Sequence, residues 1–191
     1  MEEHEIRSSL LSYLAVNAPD RSKVQEEFRI ECGRSRIDVA VIDSTLIGYE
    51  IKSEKDTFVR FSNQIHAYNR VFDQINLVCS ASHARLAEEV VPSWWGLIVA
   101  ERGKDGDIQL VTAREARTNT QQEPFSLASL LCKDEAIAVL TAKAQEIPKK
   151  ASSHTLREYI VKALPIEQIK SVVTKSLLCR QPYNNLEVKT M

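Results

Sequence analysis

Apolar residues in this chain follow two rhythms, and the changes between them mark its elements. From Glu2 to Val16, the residues Ile6, Leu10, Tyr13 and Leu14 recur at helical spacing, predicting a helix that Asn17-Ala18-Pro19-Asp20 breaks. Val24 to Glu31 then alternates, with Phe28 and Ile30 on one face and Glu27 and Arg29 on the other, and Gly33 marks a turn into a second strand, Arg36 to Asp43. That second run is apolar on both faces apart from Asp38, the pattern of a central strand. A third strand, Leu46 to Lys52, precedes a helix from about Thr57 to Phe72 whose stripe is Phe58, Phe61, Ile65, Tyr68 and Phe72.

Further strands are predicted at Gln74–Ser80, Trp94–Ala100 and Ile108–Val111, with a helix at His83–Val90 and a hairpin turn at Lys104-Asp105-Gly106. Arg114 to Glu123 is polar and reads as a loop. Beyond it the chain turns helical through Leu127, Leu130, Leu131 and Ala136–Ala144. A linker at Pro148–Ser153 follows, then two helices split at Pro165, with the stripe Ile166, Ile169, Val172, Val173 and Leu177. The order helix, hairpin, strand, helix, strand predicts a mixed α/β sheet flanked by helices. We read residues 1–123 as that domain and 124–191 as a helical C-terminal extension.

Composition narrows the class. With 191 residues, 43% hydrophobic and 27% charged, the chain has the make-up of a soluble globular protein able to bury a core. No apolar run approaches the roughly 20 residues of a membrane span. The acidic start, Met1-Glu2-Glu3-His4-Glu5, argues against a secretory signal. Cys32, Cys79, Cys132 and Cys179 are scattered without a Cys-x-x-Cys pair, as expected of reduced thiols in a cytoplasmic protein, and the four histidines form no ligand cluster. The net charge of −1 gives no footprint for nucleic acid by itself. From residue 124 onward there are 10 Lys/Arg and 6 Asp/Glu, leaving 15 and 20 before it. The basic tail, Lys162, Lys170 and Lys175 included, is a candidate for holding phosphates, and equally a solvated helical surface.

The chemistry concentrates in Arg36-Ile37-Asp38-Val39-Ala40-Val41-Ile42 and Gly48-Tyr49-Glu50-Ile51-Lys52. Alternation puts Glu50 and Lys52 on one face, with Gly48 leaving room on it. If the two runs are neighbouring strands, Asp38 meets that pair. Two carboxylates and an ammonium in an apolar sheet are costly to bury unpaired, and a divalent cation is a natural reason to keep them. The alternative is structural: a hydrogen-bonded aspartate at a strand end and an ion pair at a sheet edge.

This order of motifs, continued by Gln64-Ile65-His66-Ala67-Tyr68, resembles the PD-(D/E)XK nuclease superfamily over about residues 1–100, and within it the RecB-like branch with its Asp, Glu-x-Lys and Gln-x-x-x-Tyr. Ile37 stands where the superfamily's naming proline would be. Glu187-Val188-Lys189 repeats Glu-x-Lys in a polar tail and has no acidic strand before it, so it carries no meaning here. The resemblance implies a restriction-endonuclease-like fold for residues 1–123. It also implies a Mg²⁺- or Mn²⁺-dependent nuclease that hydrolyses DNA phosphodiester bonds in DNA repair, mobile-element or phage-related processing.

Asp38, Glu50 and the Ile51 backbone carbonyl would ligate the metal, Lys52 would orient the attacking water and stabilise developing charge, and Gln64 would help place substrate or water. Glu5 is a candidate extra ligand, with Glu27 as its competitor. Arg60 and Tyr68 are candidates for contact with nucleic acid, although Tyr68 also lies in the core stripe. Trp94-Trp95 could stack on bases, with packing the more ordinary role. A homodimer or a partner protein could dock on the C-terminal helices. The rival function is a catalytically silent nucleic-acid-binding or accessory module of the same fold.

Overall fold

The computed structural model describes residues 1–59, 61–148 and 150–180. Six strands form one sheet in the order of the chain: β1 (Lys23–Ile30), β2 (Ser35–Ile42), β3 (Leu46–Lys52), β4 (Gln74–Ser80), β5 (Gly96–Arg102) and β6 (Ile108–Arg114). The pairs β3–β4 and β4–β5 are parallel and the others antiparallel, so the sheet is mixed. Parallel neighbours need crossovers, and α2 (Phe61–Asn69) and α3 (Ala84–Val90) supply them. The fold is α/β, with a mixed sheet flanked by helices and a helical C-terminal extension.

Helix α1 (Glu3–Asn17) covers one face of the sheet, burying Ile6, Leu10 and Leu14 against Val39, Val41, Tyr49, Ile51, Val78 and Ile98. The opposite face carries the larger core, in which Phe61, Tyr68, Phe72 and Trp95 are fully buried. The extension joins this second core through α4 (Pro124–Ala128), α5 (Lys133–Ala142), α6 (Ser153–Ala163) and α7 (Ile166–Cys179). From the expected stripe of α7, Ile169, Val173 and Leu177 are buried. Lys23 Nζ on β1 donates to the carbonyls of Leu177 (3.4 Å) and Arg180 (2.9 Å). It thereby satisfies acceptors that the end of a helix leaves free.

Three local results differ from the sequence reading. Helix α2 starts at Phe61, not Thr57, and ends at Asn69. Phe58 has the spacing of a helical core position but sits in the preceding loop, 5.3 Å from the Phe61 ring and 5.5 Å from His83. Gly48 leaves no open room: a Cβ there would lie 2.5 Å from Ile37 Cδ1 and 3.2 Å from the Phe72 ring. Glycine at this point lets Phe72 press onto the sheet. Strand β5 begins after the tryptophan pair, at Gly96.

The turn from β1 to β2 needs glycine for a different reason. Glu31, Cys32 and Gly33 all have positive φ (49°, 58° and 86°), a left-handed reversal that only Gly33 adopts freely.

Candidate active site

The antiparallel register pairs Val39 with Tyr49, so Asp38 and Glu50 stand one step further along β2 and β3. Asp38 reaches across that gap: its Oδ2 accepts from the Ile51 backbone N–H at 2.7 Å. Glu50 points into the larger core and is 2% exposed. Its Oε1 accepts from Lys52 Nζ (2.9 Å) and Gln64 Nε2 (2.8 Å), and its Oε2 accepts from the Tyr68 hydroxyl (2.8 Å). A strand places Glu50 and Lys52 on one face, and one turn of α2 separates Gln64 from Tyr68, so two elements deliver three side chains to the Glu50 carboxylate.

Tyr68 has two structural attachments. It is fully buried, stacked on Trp95 at 6.2 Å, and its hydroxyl also lies 2.6 Å from the Arg36 carbonyl oxygen. Core residue and site residue are therefore the same side chain. Gln64 Nε2 donates to that hydroxyl as well (3.1 Å), and Lys52 Nζ lies 5.1 Å from the Phe61 ring centre.

Electrostatics follow from this burial. Desolvation raises the Glu50 pKa to about 7, the nearby Asp38 carboxylate pushes the same way, and Lys52 opposes both. Burial likewise raises Asp38, against the Ile51 N–H and the Arg7 guanidinium. The Tyr68 hydroxyl is pushed upward by burial and by Glu50, so it remains a proton donor.

The sequence reading missed Arg7. From α1 its Nη2 donates to Asp38 Oδ1 (2.9 Å) and Nη1 to the Asp38 backbone oxygen (3.1 Å). The same guanidinium meets Glu3 (2.5 Å), Glu27 (3.2 Å) and Glu26 (3.7 Å). Glu27 also pairs with Arg36 at 2.6 Å. A surface-helix arginine has no periodic signal. The available hint was Glu3 four residues before it, with Glu26-Glu27 on the next element.

The sequence model of bacteriophage P4 protein cII matches residues 1–189. The chain belongs to that family. No curated protein matches it. A solved structure that resembles it is the SPO1766 protein of unknown function from Silicibacter pomeroyi, at 16% identity and a TM-score of 0.47, over 75% of this chain and 92% of that one. That likeness carries no functional weight.

In this member of the P4 cII family, the other candidates fall in different places. Glu5 is not brought to Asp38 and Glu50. Its Oε2 accepts from the Glu2 backbone N–H at 2.7 Å, closing the first turn of α1, and its Oε1 pairs with Arg102 at 2.7 Å. The two contacts hold its pKa down at about 2. Glu27 does approach, opposite Asp38 on β1, but through Arg7 and Arg36. Arg60, and the Glu187-Val188-Lys189 repeat, lie outside the described residues.

Trp95 is fully buried and donates to Asn69 Oδ1 at 2.9 Å, which is a packing role. Of the tail lysines, Lys170 is bound to Asp73 at 2.6 Å and Asp73 is 5% exposed, so this lysine ties α7 to the sheet. Lys162 and Lys175 are exposed. Among the described residues, no three of His, Cys, Asp and Glu form a group able to hold a metal, and no helix is long and apolar enough to cross a membrane.

Proposed function

We propose that this P4 cII family member is a divalent-metal-dependent nuclease that hydrolyses DNA phosphodiester bonds, built on the PD-(D/E)XK plan. The single observation that carries the reading is the Glu50 cluster. It is a 2% exposed carboxylate in contact with Lys52, Gln64 and Tyr68, one strand position from a second carboxylate. A purely structural role would favour apolar side chains here, because several polar groups must be desolvated to assemble it.

The donor set fits Mg²⁺ or Mn²⁺ through Asp38, Glu50 and the Ile51 carbonyl, since magnesium keeps several waters and takes only one or two carboxylates. Bound there, the ion would polarise the phosphate and acidify a water. Lys52 would stabilise charge on the phosphate oxygens and orient the attacking water. Gln64 and Tyr68 act on Glu50 itself, fixing both of its oxygens.

The family takes its name from a phage protein, which supports a phage or mobile-element setting. Four free cysteines suit the host cytoplasm. A second copy or partner docking on α7 would use the face opposite Ile169, Val173 and Leu177.

The rival, a silent accessory module, draws on the charge balance of −1. The test is a panel of single-stranded, duplex and flapped DNA, with RNA alongside, incubated with Mg²⁺ or Mn²⁺. Lys52→Ala should cut about 10²–10³-fold more slowly while keeping metal binding, as expected on losing one preorganised charge-stabilising group. If wild type and Lys52→Ala bind DNA equally and neither cuts anything, the accessory reading replaces the enzyme.

A further inference from the structure

A groove leads from the Glu50 cluster to the C-terminal extension. Its near part is a hollow of about 430 Å³ lined by Gln64 and Arg34, and Gln64 is the side chain that donates to Glu50. Its far part, about 300 Å³, shares Glu31 and Arg34 with the first and continues to Arg70 and Phe125. The far part holds donors without acceptors. Nε of Arg70 is buried with no hydrogen-bond partner among the described residues, and so is Nε of Arg157 on α6. Buried donors of this kind are rare and call for an acceptor.

Both arginines flank the turn between β1 and β2: Arg70 pairs with Glu31, and Arg157 Nη1 donates to Cys32 Sγ at 3.2 Å. Arg34 is exposed on the shared wall and has no ion pair among the described residues. Glu31 and Glu123 offset two of the three arginines, which leaves the far part with one net positive charge. Phe125, half-buried, gives it an aromatic face.

We propose that this groove holds a single DNA strand on one side of the scissile phosphate. This rests on the nuclease reading and names its substrate class. Phosphate oxygens are the acceptors that the guanidiniums lack, and Phe125 is a face on which any base can stack. Hollows of a few hundred Å³ enclose a ligand of nucleotide size and not the paired strands of a duplex. Gln64 and Arg70 stand about 9 Å apart along α2, at about 1.5 Å per residue. With a rise of about 3.4 Å per nucleotide, Arg70 meets the phosphate roughly two or three nucleotides from the cut. The extension is thereby one wall of the substrate groove.

The experiment measures binding of a short fluorescent oligothymidine to the full chain by anisotropy, in chelator so that nothing is cut, over a series of salt concentrations. Circular dichroism checks the fold of each variant. Wild type should bind the single strand more tightly than a blunt duplex of the same length. Arg34→Gln combined with Arg70→Gln should weaken binding and lower the salt slope by about 1.4, at about 0.7 per phosphate contact on a single strand. Lys175→Gln, beside Asp43 at the other end of β2, should keep the wild-type slope. If the double variant does not fold, Arg34→Gln alone, which breaks no ion pair, should lower the slope by about 0.7. An unchanged slope in the arginine variants, or tighter binding of the duplex, overturns the inference and leaves the nuclease reading standing. A wild type that binds no strand overturns the inference, and if it also cuts nothing with Mg²⁺ or Mn²⁺ the nuclease reading falls with it.

Discussion

The two carboxylates of the site differ in how they are held. Glu50 is sunk in the larger core among one ammonium, one amide and one phenol, and its pKa rises to about 7. Asp38, one strand away, keeps 19% of its side chain exposed and is bound by a guanidinium and a backbone N–H. The inner half is deeply desolvated and carries one formal cation, Lys52. In the outer half four carboxylates share Arg7, with Arg36 also on Glu27, an acidic excess in partial contact with water. Burial raises both carboxylates, but in the outer half a guanidinium and a backbone N–H oppose it, whereas the inner carboxylate is driven up to about 7.

The largest expected effect breaks the inner half. Because burial raises the Glu50 pKa, the folded protein retains a proton that the unfolded chain releases. Its contribution to stability is complete below pH 4.5 and is lost as pH rises toward about 7. Glu50→Gln removes this loss. The uncharged amide can still accept from Lys52 and Gln64, and it can donate to Tyr68, whose hydroxyl then donates to the Arg36 carbonyl. In metal-free buffer at pH 8 the variant should be more stable than wild type by on the order of 3 kcal/mol. The gap should close below pH 4.5, as read by urea unfolding at each pH. A gap that does not depend on pH would remove the desolvated carboxylate from the account.

A smaller effect sharpens the boundary of the outer half. Glu5→Ala loses the contacts to Glu2 N–H and Arg102, so the melting temperature should fall, while Mn²⁺ affinity should match wild type. Weaker Mn²⁺ binding in calorimetry would return Glu5 to the metal site.

The two carboxylates were legible in the sequence. Period-two alternation fixed which of Gly48 to Lys52 share a face, and an acidic residue inside an apolar run marked Asp38 as needing a partner. The start of α2 was not legible, because Phe58, Phe61 and Ile65 keep helical spacing even though the first of them packs from a loop. Gly48 read as open space, since nothing local says that Phe72 fills it. Lys170 read as a surface cation, and only the docking of α7 pairs it with Asp73. Arg7 was invisible for a related reason. Its four carboxylates come from residues 3, 26, 27 and 38, and no sequence window contains them all.

The proposed metal site is the one that Asp38 and Glu50 form together. Its most direct test is a crystal of the full chain grown with Mn²⁺ and measured for anomalous scattering at the manganese edge. A manganese peak shared by the Asp38 and Glu50 carboxylates and the Ile51 carbonyl is expected, absent from Asp38→Ala. A wild-type crystal with manganese only elsewhere, or an unchanged peak in Asp38→Ala, would contradict it.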